Sequence, residues 1–382
     1  MMGCRNRITC LLLSLCALST SSATQAASEN DANHTTVGVS LVLSGPAQYW
    51  GAPIRNGLEL GARQSLSGIQ LQFQDDVCEA RRSLANFKKF LTVDGISTIV
   101  LGCMESIEAT MPLAEANGAT VLAVGGMTRE YLQRFPNLIS LYTLVDTEAY
   151  YLIPYLKQRV KARSIAIINH SQTYGEHFGA GLERLAAEAG IPVTHRESVD
   201  WSASDFRSVI VRVMRAKPDA VITLASTDKE GLLIRQLREL GYKGLIFGTF
   251  AFETEEVKTS GGAALEGVLY TYPALASEGP DYQDFRKLYV ERFASNPQTT
   301  AAIAYDGIRL LDRALAQCGD KPDRLCIPKY FAGLGTFTGA GGKVIFGNDR
   351  SAIRPFGLKQ VKDGSFVWIE NELPRWEGTS RH

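Results

Sequence analysis

The stretch Val37-Gly38-Val39-Ser40-Leu41-Val42-Leu43-Ser44-Gly45-Pro46 decides how the rest of the chain is read. Its first seven residues are rich in aliphatic and β-branched side chains and read as a buried strand. Ser44-Gly45-Pro46 breaks that run as a turn, and a helical pattern follows through 54–65. Strand, turn and helix in that order make the first half of a βαβ unit, and the unit repeats. A strand over 69–73 leads to a helix over 80–91, whose Leu84, Phe87, Phe90 and Leu91 recur at helical spacing. Short buried strands at 99–101 and 121–124 flank a helix over 107–117, and 138–141 closes the series. Strands joined through helical crossovers imply an α/β fold with a parallel, doubly wound sheet.

Working outward, the pattern restarts after residue 146. A helix over 150–160 precedes a strand at 164–168, a helix over 176–189 ending at Gly190, and a strand at 193–198. Asp205 is placed to cap a helix over 206–216, which Lys217-Pro218 stops. A strand at 220–224, a helix over 229–240 ending at Gly241 and a strand at 245–247 complete the second series. After 267–270, helices over 282–294 and 299–318 resume, and 342–346 and 356–367 read as antiparallel strands. The chain is two similar βα halves, not a short-period repeat.

Length and composition agree. The 382 residues suffice for two domains, or three. With 45% apolar and 21% charged residues the chain can bury sizeable cores. Forty basic residues balance 40 acidic ones, which argues against nucleic acid as the main partner. No apolar run reaches the ~18 residues of a membrane span, so no direct membrane insertion is expected. Residues 1–27 read as a secretory signal peptide, with Arg5 and Arg7 ahead of an apolar stretch over 8–18 and Thr24-Gln25-Ala26 as cleavage tripeptide. Cys16 raises a lipid anchor as an alternative, but Leu15 stands where a lipobox has a small residue. Removing the signal leaves 38 basic against 40 acidic residues, a net charge of −2. The expected location is the periplasm, an oxidising space.

Of the seven cysteines, Cys4, Cys10 and Cys16 would leave with the signal. Cys78, Cys103, Cys318 and Cys326 remain and allow three connectivities. Sequence proximity favours Cys78–Cys103 and Cys318–Cys326, loops of about 26 and about 9 residues, worth roughly 3.5 and 2.6 kcal/mol in the chain-entropy account. A metal site is the competing reading. The chain has no C-x-x-C, and its five histidines, His34, His170, His177, His195 and His382, show no ligand spacing, so no metal and no cofactor are expected.

Ligands of open parallel sheets bind at the carboxyl ends of strands, where strand order reverses. Here those ends carry Ser44 to Pro46, Gly102 to Ser106, Gly125 to Thr128, Asn169 to Tyr174, Ala225 to Asp228 and Gly248 to Phe252. Their hydroxyls and helix-start amides suit a carboxylate or carbonyl, while Tyr49, Trp50, Tyr174, Trp201, Phe250 and Phe252 offer apolar walls. Strand-end loops are also rich in Gly and Ser simply because they turn, so composition alone does not make a site. Catalytic motifs are missing: there is no G-x-S-x-G, H-E-x-x-H or P-loop. Gly179-x-Gly181 lies inside a helical stretch, where small residues serve packing, and Gly339-Ala340-Gly341-Gly342 reads as a hairpin turn. His170 and His177 flank Tyr174 with no paired nucleophile and read as surface or rim residues.

Several motifs now stand in one order. Val37-Gly38-Val39, Leu43-Ser44-Gly45-Pro46, Trp50-Gly51 and Asn56-Gly57 open the chain, followed by Asp75-Asp76-x-Cys78, Tyr174-Gly175-Glu176, Asp205-Phe206, Lys217-Pro218-Asp219-Ala220-Val221, Arg235-Gln236 with Gly241, and Ala304-Tyr305-Asp306. This set resembles the branched-chain (Leu/Ile/Val) amino-acid-binding proteins that serve ABC importers, over nearly the whole chain after the signal. The resemblance implies a type I periplasmic binding fold: two flavodoxin-like doubly wound lobes joined by three hinge crossovers around a cleft that closes on its ligand. It assigns 35–146 with 273–351 to the N-terminal lobe, 147–272 with 352–372 to the C-terminal lobe, and 373–382 to a tail. It also implies a disulfide from Cys78 to a cysteine near Cys103, which here sits about two places early, with Glu105 at the usual position.

The resemblance implies a ligand set as well. Ser106 matches the serine that meets the ligand carboxylate. Gly126 and Thr128 match the carbonyl and threonine that orient the ligand, and Trp50 and Tyr174 match aromatic wall positions. The family tyrosine falls at Ser226 or Thr227, and the acid that receives the ligand ammonium falls at Phe250. A buried ammonium needs a paired charge or several acceptors, which a phenyl ring lacks; Glu253 and Asp228 could substitute, but neither sits at the matched position. The expected protein is therefore a monomeric periplasmic solute-binding protein, not an enzyme. It would carry a small molecule with a carboxylate or amide end and an apolar or aromatic body, such as an amino acid or aromatic acid, to ABC permease membrane subunits. A sensing module feeding a signalling receptor is the alternative, and a secreted α/β enzyme the more distant one.

Overall fold

The computed structural model describes residues 34–45, 47–274, 279–319 and 323–375. The expected signal peptide, Pro46 and the end of the tail lie outside the described residues. The opening strand β1 (Thr36–Leu41) is followed by α1 (Gln48–Ala62), β2 (Gln70–Asp75), α2 (Ala80–Thr92), β3 (Thr98–Leu101), α3 (Met104–Asn117), β4 (Thr120–Ala123), α4 (Arg129–Arg134) and β5 (Leu138–Ser140). These strands form a parallel five-stranded sheet in the order β2-β1-β3-β4-β5. β1 runs between two neighbours and is buried on both faces. Val37, Val39 and Leu41 pack with Ile54 and Leu58 of α1, whereas Phe87 and Phe90 of α2 and Ile107 and Met111 of α3 cover the other face. Gly38 is required there, because a Cβ would come 2.9 Å from the Phe90 ring.

The second series contains α5 (Ala149–Tyr155), β6 (Ile165–His170), α6 (Thr173–Glu188), β7 (Val193–Val199), α7 (Arg207–Arg215), β8 (Ala220–Leu224), α8 (Thr227–Glu239), β9 (Leu245–Gly248), α9 (Glu255–Gly261) and β10 (Leu269–Pro273). The chain then returns through α10 (Pro280–Phe293), α11 (Thr299–Cys318), α12 (Cys326–Gly333), β11 (Thr336–Gly339), β12 (Gly342–Phe346) and β13 (Ala352–Ile353), and ends in β14 (Phe356–Lys362) and β15 (Ser365–Glu370). The second sheet has the order β15-β14-β10-β9-β8-β6-β7, with β14 and β15 antiparallel. Phe178 and Leu182 of α6 cover one face, and Ile210 of α7 with Leu233 and Leu237 of α8 cover the other. Each half is thus an α/β lobe with a doubly wound sheet, and the strand order reverses between β1 and β3 in one and between β6 and β8 in the other.

The chain passes between the sheets three times: after β5, after β10, and from β13 to β14. The ladders carry Pro273 in the second sheet, opposite Phe356, and Ala352–Ile353 beside β12 of a small third sheet packed on the first lobe. Two of the three passages therefore lie one or two residues beyond the boundaries read from sequence. Cys78–Cys103 ties the loop after β2 to the loop after β3, and Cys318–Cys326 ties the end of α11 to the start of α12. Gly339-Ala340-Gly341-Gly342 is a hairpin turn between β11 and β12, held by Asp306, which accepts the amides of Ala340 and Gly341 at 3.1 and 2.7 Å. Gly179 and Gly181 are packing residues of α6: a Cβ would strike Asn169 at one and Asp146 at the other.

Candidate ligand-binding site

A cavity of about 530 Å³ lies where the two switch points face each other. From the first lobe it is lined by Ser44, Gly45, Tyr49, Trp50, Val77 to Glu79, Arg82, Gly102 to Glu105 and Gly126; from the second by His170, Gln172, Tyr174, Trp201, Leu224, Ala225, Thr227, Phe250 and Ala251. The lobes touch around it. A Cβ on Gly126 would lie 2.4 Å from the Tyr174 ring, so glycine there permits the approach. Trp50 meets Phe250 with ring centroids 5.6 Å apart. The Glu105 carboxylate of α3 accepts the Thr173 amide at 3.1 Å, supplying from the opposite lobe a cap that α6 lacks of its own. One turn along both helices, His177 lies 3.7 Å from Glu108.

The first-lobe wall is shaped by Asp75-Asp76-x-Cys78. Val77 and Cys78 both adopt left-handed backbone, with φ of 47° and 59°, an unfavourable conformation for side-chain-bearing residues. Asp75 Oδ1 accepts the amides of Leu43 and Val77 at 2.9 and 3.1 Å, and Asp76 Oδ1 that of Cys78 at 3.0 Å. Asp76 Oδ2 accepts the hydroxyls of Ser40, Ser83 and Ser106 at 2.9, 3.2 and 3.0 Å. Two short aspartates thus hold the strained turn, and the disulfide presses it against the start of α3. Arg82 projects from α2 beside it, its Nε 3.0 Å from Glu79.

The second-lobe wall is aromatic and carries no acidic side chain. His170 ends β6 only 4% exposed, with Tyr174 stacked beside it and Trp201 edge-on at 4.7 Å. Burial holds its imidazole down at about 4, so the ring is neutral. Its Nδ1 has no partner among the described residues. Behind Phe250 lies Glu148, which accepts the Phe250 amide at 3.2 Å and the Thr271 hydroxyl, and leaves Oε1 unpartnered. Burial pushes its carboxyl up to about 8.

The residues expected from sequence divide sharply. Trp50, Gly126, Tyr174, Thr227 and Phe250 line the cavity together, as do Tyr49 and Trp201. Ser106 does not: it is fully buried and its hydroxyl is spent on Asp76. Thr128 caps α4, accepting the Tyr131 amide, and lies off the cavity. Ser226 is buried between two lining residues, and Phe252 packs on Tyr270. Neither acid weighed as a substitute lines this cavity, although Glu253 lines a small adjoining pocket that shares Trp50 and Phe250 with it. Glu253 takes Lys359 Nζ at 2.5 Å and the Tyr270 hydroxyl at 2.9 Å, and Asp228 pairs with Lys229 at 3.0 Å. His170, read as a rim residue, is buried at the switch point. Its place at a strand end was the available signal; Arg82, one turn into a helix, offered none.

A family model described as periplasmic binding protein matches residues 34–365. The chain belongs to that family. Relatives of this binding protein include the leucine-, isoleucine-, valine-, threonine- and alanine-binding protein of Pseudomonas aeruginosa, 23% identical over 291 residues, which are 73% of this chain and 77% of that one. Among solved structures, the leucine binding protein of Thermotoga maritima matches with a TM-score of 0.80 at 21% identity, covering 87% of this chain and 97% of that chain. A solute binding protein of an ABC transporter from Rhodopseudomonas palustris, in complex with 3,4-dihydroxybenzoic acid, matches with a TM-score of 0.77 at 19% identity, covering 90% and 98%. The binding protein therefore has the type I periplasmic fold and is a solute-binding protein of the ABC-transporter type, not an enzyme. No helix among its described residues is long and apolar enough to cross a membrane.

Proposed function

We propose that this protein, in the periplasm, captures a small flat carboxylate without an α-ammonium group and delivers it to the membrane subunits of an ABC importer. The observation that carries the reading is the second-lobe wall around Phe250, which is 9% exposed, lies against Trp50 and Tyr142, and has no carboxylate facing the cavity beside it. An ammonium buried there without a partner costs several kcal/mol, and each ~1.4 kcal/mol is about tenfold in Kd. The charged side chains of the cavity, Glu79, Arg82 and Glu105, all stand on the first lobe. Arg82 and the amides at the start of α3 suit the ligand carboxylate, in place of Ser106 and Thr128. Trp50, Tyr174, Trp201 and Phe250 then hold its body.

Calorimetry on paired compounds tests this: phenylalanine with 3-phenylpropionate, and leucine with isocaproate. The deaminated acid of at least one pair should bind at least tenfold more tightly. Micromolar binding of the amino acids with none of the acids would reverse the reading and make Glu105 the acid that receives the ammonium.

A further inference from the structure

His170 has no task in the fold that its chemistry explains. Neither ring nitrogen makes a hydrogen bond among the described residues, and a buried unpaired polar group destabilises a protein unless something meets it. Nδ1 lies against Gly175 in the first turn of α6, where a Cβ would come within 2.5 Å of it. His170 lines the cavity; Nδ1 and Cε1 are the ring atoms turned to Gly175, which leaves Nε2 as the nitrogen able to meet a ligand. Tyr174 and Trp201 on either side fix its orientation. A histidine serving only to fill space here could be a phenylalanine, as at Phe250.

We propose that His170 is a specificity-determining residue whose Nε2 hydrogen-bonds a hydroxyl group on the body of the bound acid, so that the protein selects hydroxylated over unsubstituted ligands. The ring sits at the β6 switch point and lines the cavity from the second lobe, whereas Arg82 lines it from the first, so the two meet different parts of a bound ligand. The burial that keeps the imidazole neutral makes it a poor partner for a second carboxylate. A neutral imidazole offers one donor and one acceptor in an order set by its tautomer. A hydroxyl donates and accepts, and therefore satisfies Nε2 in either tautomer. An ether or halogen of similar size does not. A site built to hydrogen-bond a hydroxyl discriminates strongly against the analogue that lacks it, because the buried group is then left bare.

This inference rests on the flat-carboxylate reading, and one set of titrations separates the two. Calorimetry of the full mature protein would use 3-phenylpropionate, 3-(3-hydroxyphenyl)propionate and 3-(4-hydroxyphenyl)propionate, with wild type, His170→Phe and His170→Gln. At least one hydroxylated acid should bind wild type tenfold or more tightly than 3-phenylpropionate. H170F should lose that margin, with its circular dichroism spectrum reporting that it is folded; H170Q, which retains a donor and an acceptor, should recover part of the margin. A margin that survives in H170F, or wild type that prefers the unsubstituted acid, overturns the role of His170 and leaves the carboxylate reading standing. Absence of saturable binding by all three acids overturns both.

Discussion

On the first-lobe wall the Asp76 carboxylate accepts one amide and three hydroxyls, from Ser40, Ser83 and Ser106, within 3.2 Å. In and behind the second-lobe wall His170 Nδ1, the Ser226 hydroxyl and Glu148 Oε1 have no partner among the described residues. The same fold is used twice, with parallel strands, reversed order and a crevice at the switch point, yet polar groups are treated in opposite ways. One wall spends them on holding a strained, disulfide-tied turn in place. The other leaves three unmet, one of them on His170, which lines the cavity. The difference separates polar groups spent on building the wall from polar groups left unpaired, and Ser106 shows why residue type alone cannot make that distinction.

The comparison is broken most severely at Asp76. Asp76→Ala removes the shared acceptor of three buried hydroxyls and releases the left-handed turn at Val77 and Cys78, and should destabilise the protein by about 3–5 kcal/mol. Urea unfolding measures this, and a loss under about 1 kcal/mol would mean that the network is not what holds the wall.

Glu148 sharpens the other side. With its folded carboxyl at about 8 and an ordinary carboxyl in the unfolded chain, the native state keeps a proton that the unfolded state has released. Its contribution is fully present below the unfolded value and is lost as pH rises through 8. His170, held near 4, acts in the opposite direction between about 4 and 6.5, so the clean window lies above 6.5. From pH 6.5 to 8 wild type should lose about 2 kcal/mol more than Glu148→Gln, at ~1.4 kcal/mol per unit. Parallel stability profiles for the two proteins would show that Glu148 is already ionised in the fold.

The smallest effect is expected where the walls meet. Glu105→Ala removes the cap that α3 supplies to α6 and should weaken ligand binding about fivefold, roughly 1 kcal/mol, because the contact exists only with the lobes together. Unfolding of the ligand-free protein should change by less than about 0.5 kcal/mol. A larger loss of stability than of affinity would place Glu105 in the fold of its own lobe instead.

Much of this architecture was legible in the sequence because strands buried on both faces must be apolar throughout, and amphipathic crossovers must carry a 3.6-residue period. The runs beginning at Val37 and at Ile165 announce two doubly wound sheets on those grounds. The strand-end stretches named from sequence hold more than half of the residues that line the candidate cavity, Tyr174 and Phe250 among them, while Tyr49 and Trp50 stand on α1. The ordered motifs pointed to the family for a related reason, since Asp75-Asp76-x-Cys78 encodes a turn whose amides those aspartates hold.

What a side chain at a strand end does was decided in three dimensions. Ser106 and Thr128 are small hydroxyl residues beside the cavity, and either could face a ligand or the protein. Asp76 draws the first inward, and the open end of α4 draws the second. Arg82 reaches the cavity because the Cys78–Cys103 bridge brings the start of α2 against α3. His170 is buried because Trp201, from the loop after the neighbouring strand, closes over it. Sequence by itself determined the strands, helices, halves and crevices, since these follow from local periodicity and chain breaks. Only the tertiary structure decided which polar groups are spent and which are left for a ligand, because a hydrogen bond belongs to whichever partner packing brings within about 3 Å.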